Sequence, residues 1–247
     1  MTTKEKMSSD NFTPRLLGFM FVFVALASLL SGLILGPLSY SIVGPPDNIS
    51  ETMINFSDNP TTVQMSIAGY LIEAAGIVLL TVLLYTTLKK QNKIIARWAF
   101  GLWIVEAVFV AFRQISTFSL LFTSQEFVKA GAPDSSYFQT LGGLFFGSTQ
   151  FIYSAQMVFY CIGGILFYYL FFKSKFVPRV LSLWGIIAAS LGFIGTLFEI
   201  FNYDVPMYIF LPLLPFELAI GVWLMVKGFN SSAINSPSTK TELNEIK

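Results

Sequence analysis

The sequence predicts an all-α fold: a polytopic membrane protein built as a six-transmembrane-helix bundle with both termini cytoplasmic. Three observations lead there. Of the 247 residues, 54% are hydrophobic and only 12% charged, against about 25% charged in a typical soluble domain. One water-facing core of this size could not hide that much apolar surface. The apolar residues also fall into six long continuous runs rather than the period-two alternation of barrel strands. Finally, the basic residues gather in alternate gaps between the runs.

About 20 apolar residues carry a helix across the hydrocarbon layer. A cytoplasmic segment, residues 1–13, precedes a membrane domain at 14–230, and a polar, charged tail at 231–247 is expected to be disordered and cytoplasmic. The first span is read at 16–38, too long for a signal-peptide apolar region, so it is taken as uncleaved. The second, at 63–88, contains Glu73, and the third, at 98–122, contains Glu106 and Arg113. The fourth apolar region begins at Phe138 but exceeds the need of one upright helix. Gly142 and Gly143 are therefore expected to mark a bend or short outer helix, with the true span at 148–172. The fifth, at 180–201, has Glu199 near its end, and the sixth, at 205–226, is interrupted by Pro212 and Pro215. The loop from Ser39 to Thr62 reads as turns, from Gly44-Pro45-Pro46 to Asn59-Pro60, and carries two N-glycosylation-type patterns at Asn48 and Asn55. Glycine pairs at Gly32/Gly36 and Gly143/Gly147, and Ala188 with Gly192, are expected to serve helix packing.

Orientation follows from Lys and Arg. All but two of the 15 basic residues lie before the first span, between spans two and three, between four and five, or after the sixth. The exceptions are Lys129 in an opposite loop and Arg113 inside a span. Both termini are thus assigned to the inside.

Charged side chains in hydrocarbon cost roughly 2.5–3.5 kcal/mol each at a helix centre, so they should face one another or water. Height above the basic end follows from about 1.5 Å of rise per residue. Glu73 lies 16 residues before Lys89 and Arg113 lies 16 after Arg97, so both sit roughly 24 Å up. An Arg113–Glu73 pair is expected, with Gln156 about level. Glu106 and Glu217 lie 9 and 10 residues from Arg97 and Lys227, roughly 14–15 Å up, with no cation at their height. Glu199 falls near the outer interface. Pro215 and Pro212 cannot donate to the carbonyls of Leu211 and Tyr208, so a helix break beside Glu217 is expected. Glu73, Glu106, Arg113, Gln156 and Glu217 form the expected polar core or ion path.

Absences limit the chemistry. Histidine is missing and Cys161 is the single cysteine, which removes zinc-hydrolase sites, histidine-ligated haem and Ser-His or Cys-His pairs. No cofactor, metal or catalytic residue is expected, and a net charge of +1 leaves no basic stripe for nucleic acid. The expected partners are the lipid bilayer and a small apolar or lipid-like ligand; nothing supports a homo-oligomer.

Three segments carry a resemblance: AGAPDSSYFQTLG from Ala130 to Gly142, KSKFVPRVLSLWG from Lys173 to Gly185, and ELAIGVWLMVKGFN from Glu217 to Asn230. Through them the chain, from Arg15 to Ala233, resembles the bacterial membrane-protein family described as domain of unknown function 4386. Glu73 and Glu106 also fall where its members look similar. The chain departs from that pattern at Trp103 and at Thr149-Gln150-Phe151, where members often carry arginine. Arg113 supplies a cation at a different height. The resemblance implies six spans and a bacterial cytoplasmic (inner) membrane, and it implies no activity. The functional expectation is a non-enzymatic protein, structural or small-ligand- or lipid-sensing. A proton-coupled transporter or channel working through Glu106, Glu217 and Glu73/Arg113 comes second, and a lipid-modifying intramembrane enzyme third.

Overall fold

A computed structural model describes residues 3–39, 49–132 and 137–230. The expected tail, the loop motifs from Gly44 to Asn48, and Pro133 to Ser136 of the first family segment lie outside the described residues. Seven α-helices follow in order: α1 Thr3–Ser39, α2 Ile49–Asp58, α3 Pro60–Leu88, α4 Lys93–Lys129, α5 Tyr137–Ser174, α6 Arg179–Ile200 and α7 Leu213–Lys227. A short 3-10 turn, Met207–Ile209, precedes α7. There is no strand among the described residues. Six helical segments are long and apolar enough to cross a membrane: α1 over Thr13–Ile34, then α3, α4, α5, α6, and the turn with α7 over Met207–Lys227.

Chain neighbours pack as antiparallel neighbours, α3 on α4, α4 on α5, α5 on α6 and α6 on α7, while α1 closes the ring by packing on both α3 and α7. The α3–α4 and α5–α6 connections therefore share one end with the close of α7. Lys89, Lys90, Lys93, Arg97, Lys173, Lys175, Arg179 and Lys227 cluster there, and it is called the basic end below. The α1–α7 crossing is tight because both helices present glycine. A Cβ on Gly18 would stand 2.5 Å from the Gly221 carbonyl and 2.7 Å from the Met225 amide. Contact this close requires that neither residue have a side chain.

Helix ends follow local chemistry. Asn92 caps α4, its Oδ1 accepting from the amides of Ile94 and Ile95 at 3.0 Å. Pro60 opens α3 at a position whose amide has no helical partner anyway. At the α5–α6 turn Lys175 takes a left-handed conformation, φ 58°. Its carbonyl accepts from Asn230 Nδ2 at 2.9 Å, and the Asn230 amide donates to Phe176 at 2.9 Å. The second and third family segments thus meet in space, with Phe176 stacked on Phe229.

Three expectations need correcting. No separate outer helix ends at Gly142–Gly143: α5 runs unbroken for 38 residues. Gly142 instead lets Met53 of α2 lie against the α5 backbone. Second, the loop after the first span is not all turns, for Ile49–Asp58 is a helix. Ile49, Met53 and Phe56 share its inner face, and they pack with Leu120, Leu121, Phe127 and Phe146 on α4 and α5. Those two helices, about 55 Å long at 1.5 Å per residue, overreach a hydrocarbon layer of about 30 Å, and α2 packs on their far ends. Third, the helix break expected at Pro212 and Pro215 is present, but it lies at the start of α7, after the turn, rather than as a kink within one helix. Pro212 stands as N-cap of α7 and Pro215 lies in its first turn, where a missing amide costs little. Among the described residues the Gly143/Gly147 pair meets no neighbour within 4 Å of an added Cβ, whereas Gly192 packs on Leu213 and Cys161.

Candidate functional site

Inside the ring lies a cavity of about 440 Å³, walled by α1, α3, α4, α5, α7 and the 3-10 turn, with Phe56 of α2 at its far end. Helix α6 packs behind α5 and α7 and contributes no lining residue. Helical spacing explains the wall. Glu106, Arg113, Thr117 and Leu120 recur at sevens, fours and threes along one face of α4. Phe146, Thr149, Tyr153, Gln156 and Tyr160 do the same on α5, and Tyr70 stands one turn from Glu73 on α3.

All five residues expected to form the polar core, Glu73, Glu106, Arg113, Gln156 and Glu217, line this cavity. Their partners differ from expectation. Arg113 makes no ion pair with Glu73: among the described residues the salt bridge within 4 Å is Lys129–Glu126, on the surface at 2.7 Å. The Arg113 guanidinium lies instead over two tyrosine rings, 4.4 Å from the centroid of Tyr70 and 5.1 Å from that of Tyr153. Such stacking suits the planar, weakly hydrated guanidinium. Glu73 remains within electrostatic reach of Arg113, with Ser28 of α1 beside it. Its Oε2 is buried without a hydrogen-bond partner, as is Oε1 of Gln156, so Gln156 does not join Arg113 either.

Deeper in the cavity, Tyr160 donates to Glu217 Oε1 at 2.7 Å. The Tyr160 carbonyl accepts from Trp103 Nε1 at 3.0 Å, and the two rings stack with centroids 6.0 Å apart. Trp103 thus braces Tyr160. Glu106 is buried. The charged groups within its electrostatic reach are two more carboxylates, Glu73 and Glu217. Glu199 lies apart on α6 beside Ser154 and does not line the cavity. Tyr70, Tyr153 and Tyr160 escaped the sequence reading, although each is one helical turn from a residue that was singled out.

Toward the basic end the cavity stops at a packed aromatic and aliphatic plug. Trp103 lies edge-on to Phe167 and Tyr168, and Tyr168 to Phe216, with centroids 5.0, 6.4 and 4.7 Å apart. Leu84, Leu88, Ala96 and Ala99, all fully buried, complete it. The polar pocket is therefore blind at this end and extends toward α2 and the turn.

Six apolar helices around a polar cavity define a multi-pass membrane protein. Residues 16–228 match the family described as domain of unknown function (DUF4386), and the chain belongs to that family. No curated protein and no solved structure matches it.

Proposed function

We propose that this protein holds a small apolar or lipid-like molecule in its central cavity and is not an enzyme. It would sit in the bacterial cytoplasmic membrane with its basic end and both termini inside, the orientation that the charge distribution favours. The observation that carries the reading is the cavity itself, about 440 Å³ with Glu73, Glu106, Arg113, Gln156 and Glu217 on its wall. That size suits a small molecule, for ligand pockets run from about 300 to 1,000 Å³. A polar core that only fastened helices would pair its groups. Here Glu73 Oε2 and Gln156 Oε1 are buried without a hydrogen-bond partner. Each buried unsatisfied group costs about 1–3 kcal/mol, a cost that an occupant with polar atoms offsets. Tyr160 reaches Glu217 but no third group converges on Glu106, which counts against a catalytic centre.

Native mass spectrometry of the full chain released from nanodiscs tests this. A bound small molecule or lipid is expected at one per chain, and lost when Thr117→Trp or Ala25→Phe fills the cavity in protein of unchanged melting cooperativity. A bare wild-type mass, or an adduct that survives both fillings, would overturn it. A second reading, a proton-coupled transporter, draws on one feature: Glu106 and Glu217 are paired carboxylates without a cation. Its test is proton flux in proteoliposomes, where Glu217→Gln should lower the flux at least tenfold.

A further inference from the structure

We propose that the cavity takes an organic cation with an apolar body, a protonated amine or quaternary ammonium, which slips in sideways from the bilayer between α1 and the 3-10 turn and seats its charge on Glu106 and Glu217. This rests on the ligand-holding reading above and adds to it a ligand class and a route.

The charge of the ligand follows from what the wall leaves unbalanced. Arg113 is the one basic residue among those lining the cavity, and it is held by Tyr70 and Tyr153 within reach of Glu73. An anion arriving there would meet Glu73. Among the described residues Glu106 and Glu217 have no cation, and the groups facing them are Glu73 from α3 and Tyr160, Cys161 and Tyr168 from α5. Two carboxylates in a low-dielectric pocket need either protons or a cation to offset them. Tyr70, Tyr153 and Tyr160 offer aromatic faces to a cation with a greasy body.

The route follows from where the lining is open. Glu106, Arg113, Thr117 and Leu120, the α4 side, are all buried. Leu33 of α1 and Met207 of the turn also line the cavity, yet are 57% and 49% exposed. The turn packs against α6, where Ile209 and Phe210 cover Gly195. Since α7 begins only at Leu213, the far half of α1 has no α7 helix beside it. Leu33 lies 18 residues beyond Arg15, roughly 27 Å up and about 12 Å above the two carboxylates. A molecule lying in the far leaflet meets this seam at headgroup height.

A shape-matched pair of ions tests the class. Binding of tetraphenylphosphonium and of tetraphenylborate is measured on the full chain in nanodiscs, with the Thr117→Trp variant as baseline. Saturable cation binding is expected at one per chain, at least tenfold tighter than the anion. Because cation and proton compete for the same carboxylates, cation affinity should weaken as pH falls, by up to tenfold per unit for one proton displaced. The isosteric Glu106→Gln/Glu217→Gln variant should lose that preference while keeping its melting temperature. For the route, Leu33→Cys/Met207→Cys in a Cys161→Ser chain, once cross-linked, should slow cation uptake at least tenfold. Equal or stronger anion binding overturns the class, and unchanged uptake after cross-linking overturns the route. If neither ion binds but a native adduct is still seen, the cation proposal falls alone; if the adduct is missing too, the cavity reading falls with it.

Discussion

Arg113 shows what a membrane interior asks of a charged residue. Height along the helices was legible in the sequence, and Arg113 and Glu73 do lie within electrostatic reach. Direction around the helix axis was not, and the guanidinium turns to Tyr70 and Tyr153 rather than the carboxylate. A signal was available: Tyr70 and Tyr153 each stand three residues before a singled-out polar residue, so they share its face. Cation–π contacts contribute about 0.5–2 kcal/mol each and favour the planar guanidinium. Arg113→Lys, which keeps the charge, is therefore expected to lower the melting temperature in detergent, by the equivalent of about 1–2 kcal/mol. An unchanged melting temperature would mean that charge alone matters at this position. Tyr160→Phe removes the hydroxyl from Glu217 and is expected to cost about 1–3 kcal/mol, with Glu217→Gln in the same chain recovering part of it, read from the same melting curves.

Among the elements, six long apolar runs announced six spans because lipid imposes one rule on every spanning segment: its backbone must satisfy itself. The short helix α2 obeys a weaker rule. Its inner face has only Ile49, Met53 and Phe56 among polar residues, and three apolar positions between turn signals do not distinguish a helix from a loop. The unbroken α5 hides its reason in a partner, since Gly142 is small to admit Met53 from α2 rather than to bend its own helix. The same holds for α1 and α7, whose crossing at Gly18 and Gly221 has no small-x-x-x-small pattern to reveal it. A Cβ on Gly221 would lie 2.9 Å from the Gly18 carbonyl and 2.7 Å from Val22. Backbone cannot step aside as a flexible side chain does, so Gly221→Val is expected to cost about 1–3 kcal/mol and to loosen α7 from α1.

At the scale of the whole molecule the ring has two unlike ends. The basic end is closed by Trp103, Phe167, Tyr168 and Leu84, all buried, while the cavity reaches toward α2, the 3-10 turn and the half-buried Thr149. A protein with one blind and one open end presents its cavity to one side of the membrane only. With the basic end inside, as proposed above, that side is the outer one. Cysteine labelling separates the two parts of this statement, and the native Cys161 is buried, so the Cys161→Ser background is quiet. A membrane-impermeant maleimide applied to intact spheroplasts is expected to modify Lys129→Cys and Thr149→Cys but not Lys93→Cys. After lysis Lys93→Cys should react as well, because Lys93 is exposed at the basic end. Leu84→Cys, inside the plug, should stay protected under both conditions. Labelling of Lys93→Cys in intact spheroplasts would invert the orientation and leave the cavity where it is. Labelling of Leu84→Cys, enhanced by tetraphenylphosphonium, would instead mean that the plug opens, and the ring would then be caught in one half of a transport cycle.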